Sequence, residues 1–66
     1  MKFKLKYKDI NEKRELKPEY TVKNLLNDLN LSAQTIVAKK NGELTIEEDE
    51  IADGDEIQLI QIIYGG

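Results

Sequence analysis

Only one segment of this 66-residue chain carries a helical pattern, and one helix can cover only one face of a sheet. Val22, Leu25, Leu26 and Leu29 recur at i, i+3, i+4 and i+7, an apolar stripe along one side of a helix. Thr21 stands before the stripe as an N-cap, and Tyr20 and Leu25 occupy the two positions of a hydrophobic staple. Asn30 is placed for the left-handed residue that closes a helix, with Leu31 where a Schellman motif wants a contact to Leu26.

The other patterned segments are strands. Phe3, Leu5 and Tyr7 alternate with Lys2, Lys4, Lys6 and Lys8, the period-two pattern of a strand with one buried and one solvated face. Asp9 to Lys13 reads as a hairpin turn and Arg14 to Lys17 as a short second strand ended by Pro18. Ile36 to Lys40 is a third strand, followed by Asn41-Gly42, the strongest short signal for a type I′ turn. Glu43 to Thr45 returns as a fourth strand. Ile46 to Ala52 is an acidic connection with room for a helical turn. Asp53-Gly54-Asp55 is a second tight turn, and Glu56 to Ile63 is the last strand.

The order β-β-α-β-β-β predicts an α+β fold, a mixed sheet of four to five strands with one helix packed on one face. The last strand is expected to lie parallel to the first in the sheet centre. This arrangement is similar to the β-grasp fold of ubiquitin. Residues 1–66 are expected to form a single ubiquitin-like domain with a flexible Gly-Gly tail over 64–66.

The last strand is apolar on both sides. Ile57 and Leu59 share one parity and are expected in the core, whereas Ile60 and Ile62 share the other with Gln58. Because the helix covers one face only, Ile60 and Ile62 are expected to form an exposed apolar patch of the kind that marks an interface. With the first strand beside the last, the alternating lysines would rim that patch.

Composition removes most chemistries. There is no Cys and no His, which excludes disulfides, thiolate nucleophiles, nearly all zinc sites and the usual general base. Asp49, Asp53, Gly54 and Asp55 do not make a calcium loop, since Ile51 and Ile60 fall on its third and twelfth positions, where oxygen ligands belong. No metal ligands, no phosphate-cradling glycine loop and no carboxylate pair in a cleft are expected, so the chain reads as a carrier or substrate rather than an enzyme. No apolar run approaches the roughly 20 residues of a membrane span. The early lysines break up any signal-peptide core, so a cytoplasmic protein without a membrane partner is expected. Residues 1–23 hold eight Lys and Arg against four acids, and residues 24–66 hold two Lys against nine acids. That asymmetry can orient a partner, whereas the net charge of −3 argues against nucleic acid.

The chain closes on Gly65-Gly66, directly after the last strand. Glycines lack Cβ, so another protein's backbone can close around them. What they present is a carboxylate on a thin tail, and the Gly66 carboxylate is the expected reactive group, with Gly65 and Tyr64 giving clearance. Metal and cofactor are expected to be absent from the chain itself.

Val22 to Leu26, Asn41-Gly42-Glu43, Asp53 to Ile57 and Ile62 to Gly66 together resemble the prokaryotic ubiquitin-like sulfur carriers, among them the thiamine-biosynthesis carrier and the small archaeal ubiquitin-like modifiers. The resemblance spans the whole length. Lys39-Lys40 depart from it, standing where the family more often has an apolar residue. The resemblance implies a carboxylate adenylated by a ubiquitin-activating-type partner enzyme with ATP and magnesium, then converted to a thiocarboxylate by a sulfur donor protein. A downstream synthase or modification enzyme would take the product, for thiamine-type biosynthesis or tRNA thiolation. Ile60, Ile62, Ile63 and Val37 are expected to dock that activating enzyme, and a monomer is the default expectation. The alternatives the resemblance leaves open are a protein modifier forming isopeptide bonds to lysines and a small subunit of molybdopterin synthase. A plain interaction domain without tail chemistry is the reading from outside the family.

Overall fold

Phe3 and Leu5 are buried and their lysine neighbours on β1 (Lys2–Tyr7) are not, as period two requires. The computed structural model describes residues 1–62. The remaining elements are β2 (Ile10–Glu15), α1 (Val22–Asp28), β3 (Ile36–Lys40), β4 (Glu43–Thr45) and β5 (Glu56–Gln61). They form one five-stranded sheet in the order β2-β1-β5-β3-β4. β1 and β5 are parallel at its centre, and every other pairing is antiparallel. The expected mixed sheet with one helix is what the chain forms.

The helix is short, so its ends matter. Thr21 Oγ1 accepts from the Asn24 N–H at 3.2 Å, and Asn24 Oδ1 accepts from the Thr21 N–H at 3.0 Å, a reciprocal capping box. The N–H groups of Val22 and Lys23 donate to the carbonyls of Asp49 and Glu47 at 3.0 and 2.9 Å. The start of the helix is thus fully partnered. At the other end Asn30 takes φ 58°, Leu31 donates to the Leu26 carbonyl at 2.8 Å and Asn30 to the Asn27 carbonyl at 3.1 Å. This is the Schellman pattern expected from Asn30 and Leu31.

The core lies between the helix and one sheet face. Val22, Leu25 and Leu26 meet Phe3, Leu5, Ile36, Ala38, Ile57 and Leu59, with Tyr20 and Ile51 closing its edge. Ile57 and Leu59 are buried as their parity predicts. Asn41 and Gly42 both take positive φ, 53° and 87°, as a type I′ turn demands. Gly54, at φ 84°, turns the chain into β5 and donates to the Lys2 carbonyl at 2.8 Å, aligning β5 with β1.

Three local expectations are corrected. The first hairpin turns earlier, at Lys8-Asp9, with Lys8 at φ 53°, so β2 runs over Ile10–Glu15 rather than Arg14 to Lys17. β2 is an edge strand with nearly every residue exposed, so neither face is apolar enough to reveal it. The acidic connection forms no helix; its carbonyls face the N-terminus of α1 instead. β5 ends at Gln61 rather than running on through Ile62, although Ile62 still donates to the Thr35 carbonyl at 2.8 Å, and the expected last residue of the strand, Ile63, lies outside the described residues.

Candidate docking face

The sheet face away from the helix is built by the alternate residues of each strand. On β1 these are Lys2, Lys4 and Lys6. Register places Glu56 beside Lys4 and Gln58 beside Lys6 on β5. On β3, Lys39 lies opposite Gln58 and Val37 opposite Ile60, and β4 adds Leu44 opposite Lys39. One end of this face, over β1 and β2, is basic. Beyond Glu56, Gln58 and Lys39, the face turns apolar only where the start of β3 meets the end of β5, at Val37 and Ile60.

Val37, Ile60 and Ile62 are thus brought together on the uncovered face. Ile60 and Ile62 are 39% and 38% exposed, and Val37 is half-buried between its neighbours. Ile63, Tyr64, Gly65 and Gly66 lie outside the described residues. Ile62 is the last residue described, and its N–H bond to Thr35 holds the end of β5 against β3.

Of the four lysines expected to rim the patch, Lys2, Lys4 and Lys6 lie on β1, whereas Lys8, whose register would fall beside Ile60, stands in the β1–β2 turn at φ 53°. Lys6 pairs with Glu56 at 3.3 Å. Lys4 sits directly across from Lys13, and among the described residues neither they nor Lys39 has a carboxylate within ion-pair distance. Like charges facing each other on adjacent strands cost stability. A partner with acidic groups around an apolar groove would relieve that repulsion.

The perturbed ionisable groups lie elsewhere. Thr45 and Lys40 both bond the Asp49 carboxylate and hold it below the usual carboxylate range. The same contact raises Lys40, whose Nζ lies 2.9 Å from Asp49 Oδ2. Burial, with a hydrogen bond to Asp28, pushes the Tyr20 hydroxyl well above its ordinary value. These contacts fasten the acidic connection and the helix and do not reach the docking face. Among the described residues no group of three or more acids could hold a metal ion, and no helix is long and apolar enough to cross a membrane.

Two members of the face were not identified from the sequence, Lys39 and Leu44. Lys39 was legible in principle, since it shares parity with Val37. Leu44, 73% exposed, joins the face only through the β3–β4 register.

The comparisons agree with this architecture. The model of the ThiS family matches residues 3–66. Among solved structures, SAMP1 from Haloferax volcanii superposes with a TM-score of 0.74 at 19% identity, over 100% of both chains. The structure described as Caldiarchaeum subterraneum ubiquitin gives 0.70 at 23% identity, over 100% of this chain and 98% of that one. A ubiquitin-like protein from the same archaeon gives 0.65 at 22% identity, over 98% of this chain and 100% of that one. At these identities the likeness is one of fold.

Proposed function

This chain belongs to the ThiS family, and on that premise we propose that it is a sulfur carrier whose reactive group is the Gly66 carboxylate. The observation that carries the reading is the uncovered patch of Val37, Ile60 and Ile62, with Lys6 and Lys39 beside Gln58 next along the face, at the end of β5 from which the sequence continues to Gly65-Gly66. A handle of this kind positions a tail in another protein's active site. The chain supplies docking surface and carboxylate, and the partner supplies the catalysis.

The chemistry follows from the acid itself. A C-terminal carboxyl has a reference pKa of about 3.5, so it is ionised at neutral pH and a poor electrophile. In the partner, with magnesium, a carboxylate oxygen attacks the α-phosphorus of ATP and pyrophosphate leaves. The resulting acyl-adenylate is attacked at its carbonyl carbon by the terminal sulfur of a donor-protein persulfide, AMP leaves, and an acyl disulfide to the donor forms. A second thiol of the donor or the partner then attacks the donor's sulfur, so that the S–S bond to the acyl group breaks, a disulfide forms in its place, and the thiocarboxylate is left on Gly66. Capture of the same adenylate by a lysine amine would give an isopeptide bond instead, the modifier role. Both roles share the docking face and the first chemical step.

Intact-mass analysis of the chain purified from its native host tests the reading. A fraction in which one terminal oxygen is replaced by sulfur is expected. A terminus that is always unmodified, with Gly66 recovered on lysines of other proteins, would replace the carrier by the modifier.

A further inference from the structure

β3 holds five residues, but β4 pairs with only Ala38, Lys39 and Lys40. After Thr45 the chain leaves the sheet and crosses to the start of α1. The first part of β3 is therefore bare on that side. Hydrogen-bond parity identifies what is bare. Thr35 accepts from Ile62, and Asn41 donates to Glu56, so the odd-numbered residues here turn toward β5. In an antiparallel ladder the alternate residues turn the other way. Ala38 and Lys40 meet β4, whereas no strand residue stands opposite Ile36. Among the described residues, no turn, loop or side-chain hydrogen bond reaches its N–H or C=O either.

This bare stretch borders a groove of about 640 Å³ between the helix and the departing chain. Val22, Leu26 and Ile36 form its apolar side, Ile46 lies across from them, and Glu47 and Glu48 stand at its rim. Ile46 is 64% exposed, and neither glutamate is in an ion pair among the described residues. Open strand edges are normally blunted because they template pairing with another chain. Here the edge carries an apolar groove, a donor and acceptor left unpaired on a residue that is itself only 7% exposed, and uncompensated negative charge together.

We infer that this edge accepts an extended peptide segment as an added strand, with apolar residues at alternate positions and Lys or Arg at one end. Its backbone pairs with Ile36, its inward side chains fill the groove over Val22 and Leu26, and its cation meets Glu47 and Glu48. A second copy of this chain is the poorer occupant. Symmetric pairing of two such edges would set the acidic rims of the two copies close together. Val37 and Leu44 line this groove as well as the docking face, but the inference does not depend on the tail chemistry, because the unpaired edge is that of Ile36 on β3 and involves neither β5 nor Gly66.

The test is a heteronuclear NMR titration of the isotope-labelled full chain with the peptide Lys-Lys-Val-Thr-Val-Thr-Val-amide. Shift changes are expected at the amides of Ile36, Ile46 and Glu47, together with slowed hydrogen exchange at Ile36. Replacing the two lysines of the peptide by glutamates should weaken binding about fivefold, the upper range for one exposed ion pair. In the double variant Glu47→Lys, Glu48→Lys that preference should reverse, with the remaining spectrum confirming an intact fold. No change at Ile36 at millimolar peptide overturns the inference. So do changes confined to Lys39 and Ile60, or the same changes produced by concentrating the chain without peptide.

Discussion

Val37 and Ile60 stand directly opposite each other across the β3–β5 ladder, on the face that the helix leaves open. Neither contributes to the buried core, which lies on the other side of the sheet. The pair lies toward the end of β5 from which the sequence continues to Gly66, and under the proposed function this placement would couple docking to delivery of the tail.

Substituting Ile60→Asp should separate docking from folding. The side chain is exposed, so the cost in stability should be no more than about 1 kcal/mol. Binding to the adenylating enzyme should weaken about tenfold or more, as for a central apolar contact of an interface. Calorimetric binding and a thermal melt on the same samples check both parts.

The lysine rim should act on encounter rate more than on residence. Lys4→Glu and Lys39→Glu should slow association with that enzyme and flatten its dependence on ionic strength. Dissociation should change little. Stopped-flow association at two salt concentrations reads the difference.

Asn41 ties the β3–β4 turn to β5. Its backbone N–H donates to the Glu56 carbonyl at 2.8 Å, its Oδ1 accepts from the Glu56 N–H at 2.9 Å, and its Nδ2 donates to Asp55 Oδ1 at 2.9 Å. It does this at φ 53°. Asn41→Ala loses both side-chain bonds and puts at φ 53° a residue that tolerates the left-handed region less well than Asn, for a total of about 2–3 kcal/mol. Denaturant unfolding should show a lower midpoint with an unchanged slope.

The Asp49 contact gives a pH signature. Its carboxyl is held below the ordinary range by the Thr45 hydroxyl and then by the Lys40 ammonium. A depressed acid stabilises the fold above its unfolded pKa of about 3.9, and that stabilisation is lost as pH falls through the folded value. Lys40 is raised by the same contact, so its contribution is present below about pH 10.4 and is lost as pH rises through its folded value. Asp49→Asn should therefore lower the melting temperature at neutral pH. The gap to the parent chain should close in acid and narrow again in strong alkali.

Much of this was legible from local chemistry. Thr21 and Asn30 bracket the helix because capping depends on residues within one turn of the end. Asn41-Gly42 and the parity of Ile57 and Leu59 are equally local. β2 was misplaced because it lies at the edge, with no buried face to impose alternation. The partnership of Asn24 with Thr21 was missed because the third residue of such a box is usually Glu or Gln. The capture of the helix N-terminus by the Glu47 and Asp49 carbonyls, and the joining of Lys39 and Leu44 to the docking face, depend on long-range pairing. No window of sequence contains that information.

The central claim is that this fold delivers the Gly66 carboxylate to an adenylating active site. ATP–pyrophosphate exchange by the host's adenylating enzyme measures that step directly. The full chain should stimulate exchange, and deletion of Gly66 should abolish it while leaving the thermal melt unchanged. Equal exchange with and without Gly66, or none with the full chain, would contradict the claim.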